Sequence, residues 1–177
     1  MATSWPPFNV DGNAVDFTHL VPWSLGCPIV PAVSGVPGEL LIGVRYSCHC
    51  FTDHYADGVS EPPLLWMDHK QRRVFCRQRY AWSKNLPAIL AALPSAKVEQ
   101  THEGRNYVRF VTVDPDQPRY GVFFTLKRNR EEGHHLSLFV ESAYCDPDPN
   151  PTAGQVRFKV LAAKVFQNQP ISFKGRR

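Results

Sequence analysis

RYGVFFTLK (residues 119–127) and HLSLFVESAY (residues 135–144) decide the fold. Apolar side chains recur at every second position: Tyr120, Val122, Phe124 and Leu126 in the first stretch, then Leu136, Leu138 and Val140 in the second, which ends at Tyr144. A period of two marks strands with one buried face. The short linker 128–133 contains Gly133, so the two stretches read as an antiparallel hairpin. Pairing residues equidistant from that linker sets Leu126 against Leu136, Lys127 against His135, and Glu141 against Gly121. The opposite face then carries Lys127, His135, Ser137 and Glu141.

Working outward, 97–101 and 106–113 form a second hairpin about Glu103-Gly104. In it Val108 and Phe110 are assigned inward, Tyr107 and Arg109 outward. Residues 146–154, with three prolines, make a loop. Val156, Phe158 and Val160 then mark 156–166 as a last strand that sends Arg157 and Lys159 to the polar face. Upstream, 40–51 is β-prone, and 64–67 and 73–76 flank the turn Asp68-His69-Lys70-Gln71. Leu86, Ile89, Leu90 and Leu93 recur at helical spacing, which predicts a helix over 83–93 with Ser83 as N-cap, Pro87 in its first turn and Pro94 as its stop. The prolines between Pro6 and Pro37 exclude a helix or central strand from residues 1–38, and the aromatics Trp5, Phe8, Phe17 and Trp23 suit an arm packed irregularly over the body. The expected fold is α+β: an antiparallel sheet of about 5–7 strands whose apolar face is covered by one main helix. The arm 1–38, a single domain 39–170 and a basic tail 171–177 complete the expected organisation.

At 177 residues with 43% hydrophobic and 20% charged side chains, the composition is that of a soluble globular domain rather than a disordered chain. No apolar run approaches the ~20 residues that span a bilayer, and the first residues lack a basic and then apolar leader. A cytoplasmic location without membrane association is the expectation. Five cysteines, odd in number and sparse, read as reduced thiols. The net charge of +4 permits a polyanionic partner without requiring one.

Three groups of residues could carry chemistry. The outward sheet face gathers Arg109, Lys127, His135, Glu141, Arg157 and Lys159. Metal-independent RNA cleavage needs a base for the ribose 2′-hydroxyl, an acid for the leaving oxygen and cations for the phosphate. Glu141 and His135 would serve as base and acid, Arg109 and Arg157 as bidentate phosphate holders, with Lys159 and Lys127 beside them. The same set also reads as a solvated face with cross-strand salt bridges. The second group is Cys48-His49-Cys50 with His54 and Cys76, ligand types that suit zinc. Its spacing lacks the paired two-residue gaps of a zinc ribbon, and buried strand cysteines are the plainer reading. The third is RRVFCRQRY (72–80), where Arg77, Arg79 and Tyr80 interleave charge and ring as single-strand nucleic-acid surfaces do; a charged strand edge explains it equally. Phosphate-loop, GxSxG and HExxH patterns are absent from the sequence, and no cofactor is expected.

VRYSCHCFTD (44–53), RRVFCRQRY (72–80), LPAIL (86–90) and SLFVESAY (137–144) together resemble small uncharacterised proteins of bacterial mobile elements, over most of 40–166. That resemblance implies a bacterial setting and brings no activity with it. In element order alone, a helix followed by an antiparallel meander is similar to RelE/ParE-type toxins and the barnase-like ribonucleases. The expectations for function are therefore an endoribonuclease or RNA-acting toxin on the sheet face, a non-catalytic protein binding nucleic acid or, through the 1–38 arm, a host protein, and a small zinc domain.

Overall fold

The structure, a computed structural model, describes residues 5–57, 64–68, 71–101, 106–113, 115–116, 118–129, 133–145 and 154–172. The turns at 69–70 and 103–104, most of the 146–154 loop, part of the 128–133 linker and residues 173–177 of the basic tail lie outside that set.

In chain order the elements are β1 (Asn9–Val10), β2 (Asn13–Ala14), β3 (Trp23–Pro28), β4 (Glu39–Tyr46), β5 (Thr52–His54), β6 (Leu65–Met67), β7 (Arg72–Phe75), α1 (Arg77–Ser83), α2 (Leu86–Ala91), β8 (Lys97–Gln100), β9 (Tyr107–Val111), β10 (Tyr120–Arg128), β11 (Leu136–Cys145), β12 (Gln155–Arg157) and α3 (Phe158–Phe166). Seven strands form one sheet in the order β12-β8-β9-β10-β11-β4-β3, and β5-β7-β6 form a smaller one. The fold is α+β as expected, and the large sheet is mostly antiparallel. It is mixed, however, because β11 runs parallel to β4.

The central hairpin is present with a different register. Leu126 faces Leu138, Lys127 faces Ser137 and Arg128 faces Leu136. The ladder then slips: Phe124 faces Val140 but Phe123 faces Ser142, leaving Glu141 as the extra residue of a β-bulge. A bulge reverses the alternation beyond it. Leu136, Leu138 and Val140 are buried before it, whereas Ala143 is buried after it. Tyr144, which simple alternation places inside, is therefore turned to the other face, and it pairs with Gly121.

Two helical assignments differ from the expectation. The helix expected over 83–93 is shortened to α2, followed by a 3₁₀ turn over Leu93–Ser95, and a separate helix α1 precedes it over residues expected to be a strand edge. Pro87 cannot donate to the carbonyl of residue 83 and its ring obstructs the preceding turn, so a continuous helix is barred. Ser83 accordingly ends α1 instead of capping a helix, and its hydroxyl donates to the Tyr80 carbonyl at 2.7 Å. The expected last strand is β12 for three residues and then helix α3. Phe158, Leu161, Ala162, Val165 and Phe166 also satisfy the i, i+3, i+4, i+7, i+8 pattern, and the paired alanines favour helix. It is α3 that crosses the inner face of the large sheet, touching β10, β11 and β3 and setting Phe158 against Phe124 at 6.1 Å between ring centroids.

Within residues 1–38, β3 joins the large sheet as an edge strand on β4, a position where proline does not break a ladder. Trp5, Phe8 and Phe17 meet Phe51, Trp66, Phe75 and Tyr80 in an aromatic cluster over the small sheet.

Candidate functional site

The face of the large sheet turned away from α3 is the place to look. Directly paired residues of neighbouring strands share a face. The pairs Phe110–Gly121, Val108–Phe123, Gly121–Tyr144 and Phe123–Ser142 therefore put Phe110, Phe123 and Tyr144 together on that face. Phe123 and Tyr144 stack at 5.1 Å and 16°, and Phe110 meets Phe123 edge-on at 6.3 Å. All three rings are half-buried and lie outside the main core. Gly121 sits among them: a Cβ there would come within 2.9 Å of the Phe123 ring and 3.0 Å of the Phe110 ring. A side chain at 121 would thus have to displace those rings, although the backbone conformation would accept one. Phe139 and Leu41, 37% and 39% exposed, continue the face toward β4.

Cations flank the rings. The Arg119 guanidinium lies 4.9 Å from the Phe110 centroid and that of Arg79 lies 5.1 Å from Tyr144, a geometry in which charge is attracted to the ring face. Beside Phe110 the β8–β9 ladder has only the pairs Glu99–Val108 and Gln100–Tyr107. Where it stops, a hollow of about 300 Å³ opens, lined in part by Lys97, Glu99, Arg109, Phe110 and Arg119. A second hollow of about 460 Å³ shares Ser95, Ala96 and Lys97 with the first and adds Arg157 and Lys159. At this end of the sheet the aromatic platform therefore adjoins hollows lined by five cations and one carboxylate; Lys97, Glu99 and Arg157 share the platform's face, while Arg109 comes from a strand end and Lys159 from α3.

The residues singled out in the sequence divide between this tract and other places. Arg109, Arg157 and Lys159 reach it. Arg109 arrives by a different route from the one expected, since it pairs with buried Val122 and curls at the strand end to donate to the Lys97 carbonyl at 3.3 Å. The alternation of β9 is reversed from the expectation: Tyr107, expected outward, is buried against Phe124, and Val108 and Phe110, expected inward, stand on the open face. Lys159, on α3 rather than a strand, also donates through Nζ to the Val30 carbonyl. Glu141 is in the bulge, accepting from the Asn106 amide. His135 precedes β11 and its Nδ1 accepts from the Leu41 amide at 2.9 Å. Six residues of strand separate Glu141 from His135, about 20 Å, and four strand spacings separate β11 from β12, about 19 Å. Glu141, His135 and Arg157 do not converge. Lys127 is exposed opposite Ser137.

The group 77–80 lies on α1, not on a strand edge, and is bound to its own chain. Arg77 pairs with Asp11 at 2.8 Å. Arg79 pairs with Asp53 at 3.2 Å and donates to the Thr52 carbonyl at 3.1 Å. Tyr80 donates to the Asp16 carbonyl at 2.7 Å.

Cys48 and Cys50 occupy a 3₁₀ turn after β4 rather than a strand. Cys50 is enclosed in the core, and burial pushes its thiol, like that of Cys48, above the ordinary range. Among the described residues, the ligand types that gather with Cys48 as a group are His49 and Asp68; His54 is exposed on β5. All five cysteines are thiols.

One constellation had no signal in the sequence. His19 Nε2 lies 2.8 Å from Ser83 Oγ; burial lowers the pKa of the imidazole, and nearby Asp16 opposes that only in part. It has the composition of a catalytic triad, but Ser83 is fully buried and its proton is directed at the Tyr80 carbonyl. The contact ties the 3₁₀ turn Thr18–Leu20 to the end of α1. The partners are 64 residues apart, too far for any local pattern to have found them.

These features define an α+β protein with a mixed, helix-backed sheet whose other face is aromatic and cationic. The YjaZ family model matches residues 7–166. The chain belongs to the YjaZ family. No curated protein and no solved structure matches it.

Proposed function

We propose that this protein binds single-stranded nucleic acid, RNA in the first instance, on the open face of the large sheet. The observation that carries the reading is the continuity of the Phe110–Phe123–Tyr144 platform with the tract of Lys97, Arg109, Arg119, Arg157 and Lys159. Unpaired bases stack on aromatic rings, at about 1–3 kcal/mol per base, while cations follow the backbone. A duplex hides its base faces and cannot use the platform. Strand cleavage would need Glu141 and His135 at one ribose, and their separation of about 20 Å favours binding without cleavage.

Anisotropy of a labelled single-stranded RNA, with the matched duplex as competitor, tests the reading. Wild type should bind the single strand in preference, with log K falling against log salt at about 0.7 per phosphate contacted. The pair F123S and Y144S should lose affinity at every salt concentration, whereas R119E with R157E should also flatten the salt slope. Equal affinity of these variants and wild type, or no binding at low salt, would sink the proposal. Incubation with RNA and a chelator separates binding from cleavage: a product lost in E141A would restore the ribonuclease reading.

A further inference from the structure

We propose that Cys48, His49 and Asp68 bind a divalent transition-metal ion, zinc by preference. This goes beyond the nucleic-acid reading and does not depend on it. One donor atom of each residue lies within 4.8 Å of the other two. In a tetrahedral zinc site with bonds of about 2.0–2.3 Å, neighbouring ligand atoms stand roughly 3.3–3.8 Å apart, so closure needs movement of about an ångström.

The backbone holding these groups is fixed from two sides. Cys48 and His49 sit on the 3₁₀ turn, where Ser47 Oγ accepts from the His49 amide at 3.2 Å and Thr52 Oγ1 donates to the Cys48 carbonyl at 2.8 Å. Asp68 follows β6, and its amide donates to the Gln71 carbonyl at 3.2 Å across the hairpin. His49 Nε2 is 3.8 Å from Asp68 Oδ2 and 3.3 Å from the Gln71 side-chain amide. Amide nitrogen and oxygen are interchangeable by a flip, which would turn an oxygen toward the same ion.

Thiolate and carboxylate cancel the two positive charges of a dication and the imidazole adds none, so the loaded site is neutral, as the surrounding basic groups Arg73, Arg79 and His54 require. Binding releases the Cys48 thiol proton to solvent as the sulfur lone pair is donated to the metal. A mixed sulfur, nitrogen and oxygen set selects zinc over magnesium or calcium, and three protein ligands leave one position open.

The test is titration of reduced, chelator-dialysed full-length protein with cobalt(II), followed by zinc. The expected result is one equivalent of cobalt giving a thiolate-to-cobalt charge-transfer band, with tetrahedral visible bands, both abolished by zinc. C48S should remove the charge-transfer band. H49A and the near-isosteric D68N should weaken zinc competition against a chromophoric chelator by at least about tenfold, with H54A and C76S unchanged. Circular dichroism identifies any variant that fails to fold, and D68N is then decisive. Absence of the band at saturating cobalt, its survival in C48S, or zinc affinity unchanged in folded D68N would overturn the assignment.

Discussion

Replacing Tyr120 with phenylalanine should make this protein more stable. Tyr120 lies on the inner face of β10 with no exposed surface, and its hydroxyl has no hydrogen-bond partner among the described residues. The Trp82 ring lies 6.2 Å away, and burial, reinforced by Cys50 and Cys145, holds the phenol well above its ordinary pKa. The group therefore enters the core as an uncompensated O–H. A hydroxyl buried without a partner costs about 1–3 kcal/mol. Deleting the oxygen recovers that cost and forfeits a few contacts of about 0.1–0.2 kcal/mol each, so a net gain of about 1 kcal/mol is expected. For a chain of this length that corresponds to a rise of about 2–4 °C in Tm. Calorimetry and urea unfolding of Y120F check it; the urea midpoint should rise with an unchanged m value. RNA affinity should stay constant, because the substitution lies on the face opposite the platform. Destabilisation of Y120F by more than about 0.5 kcal/mol would refute the reasoning, since only a satisfied hydroxyl is missed when removed.

G121A should lower single-stranded RNA affinity with little loss of stability, because the new methyl displaces the Phe110 and Phe123 rings on the open face; an unchanged affinity would detach those rings from binding. L138A, in the fully buried centre of β11, should cost about 2–5 kcal/mol by transfer and cavity terms, read from the urea midpoint. Burial disfavours the imidazolium of His19, Asp16 opposes that shift and Lys84 adds to it, so its folded pKa lies below the reference 6.5. The unfolded chain then binds the proton more readily, and stability present above pH 6.5 is lost as the pH falls through that value toward the folded pKa. Unfolding of wild type and H19Q at several pH values should show the flatter profile in H19Q; parallel profiles would exclude His19 as a source.

Alternation in 119–127 and 135–144 was sufficient, from the sequence by itself, to determine the central hairpin and its apolar face, because burial of one sheet face depends only on a local period of two. The hairpins 64–76 and 97–113 were legible from their turns, but the faces of 107–111 were assigned the wrong way round, because both sides of that strand carry apolar residues. The bulge at Glu141 was not: apolar and polar residues still alternate acceptably across it, and only the cross-strand ladder counts the extra residue. That one residue moves Tyr144 to the open face and, with it, half of the stacked pair. The 158–166 segment fits both periods, and packing across β10 and β11 chose the helix. Arg109, Arg157 and Lys159 were grouped from the sequence on one strand face, but the route by which they meet was not legible, since Arg109 comes from the inward side of β9 and Lys159 from α3. Their meeting depends on strand order and on where the β8–β9 ladder ends, and Cys48, His49 and Asp68 likewise meet only through the hairpin β6–β7. Sequence periodicity determines which face of a strand is buried; which side chains from distant strands share the other face is decided by register and strand order, and those are properties of the whole sheet.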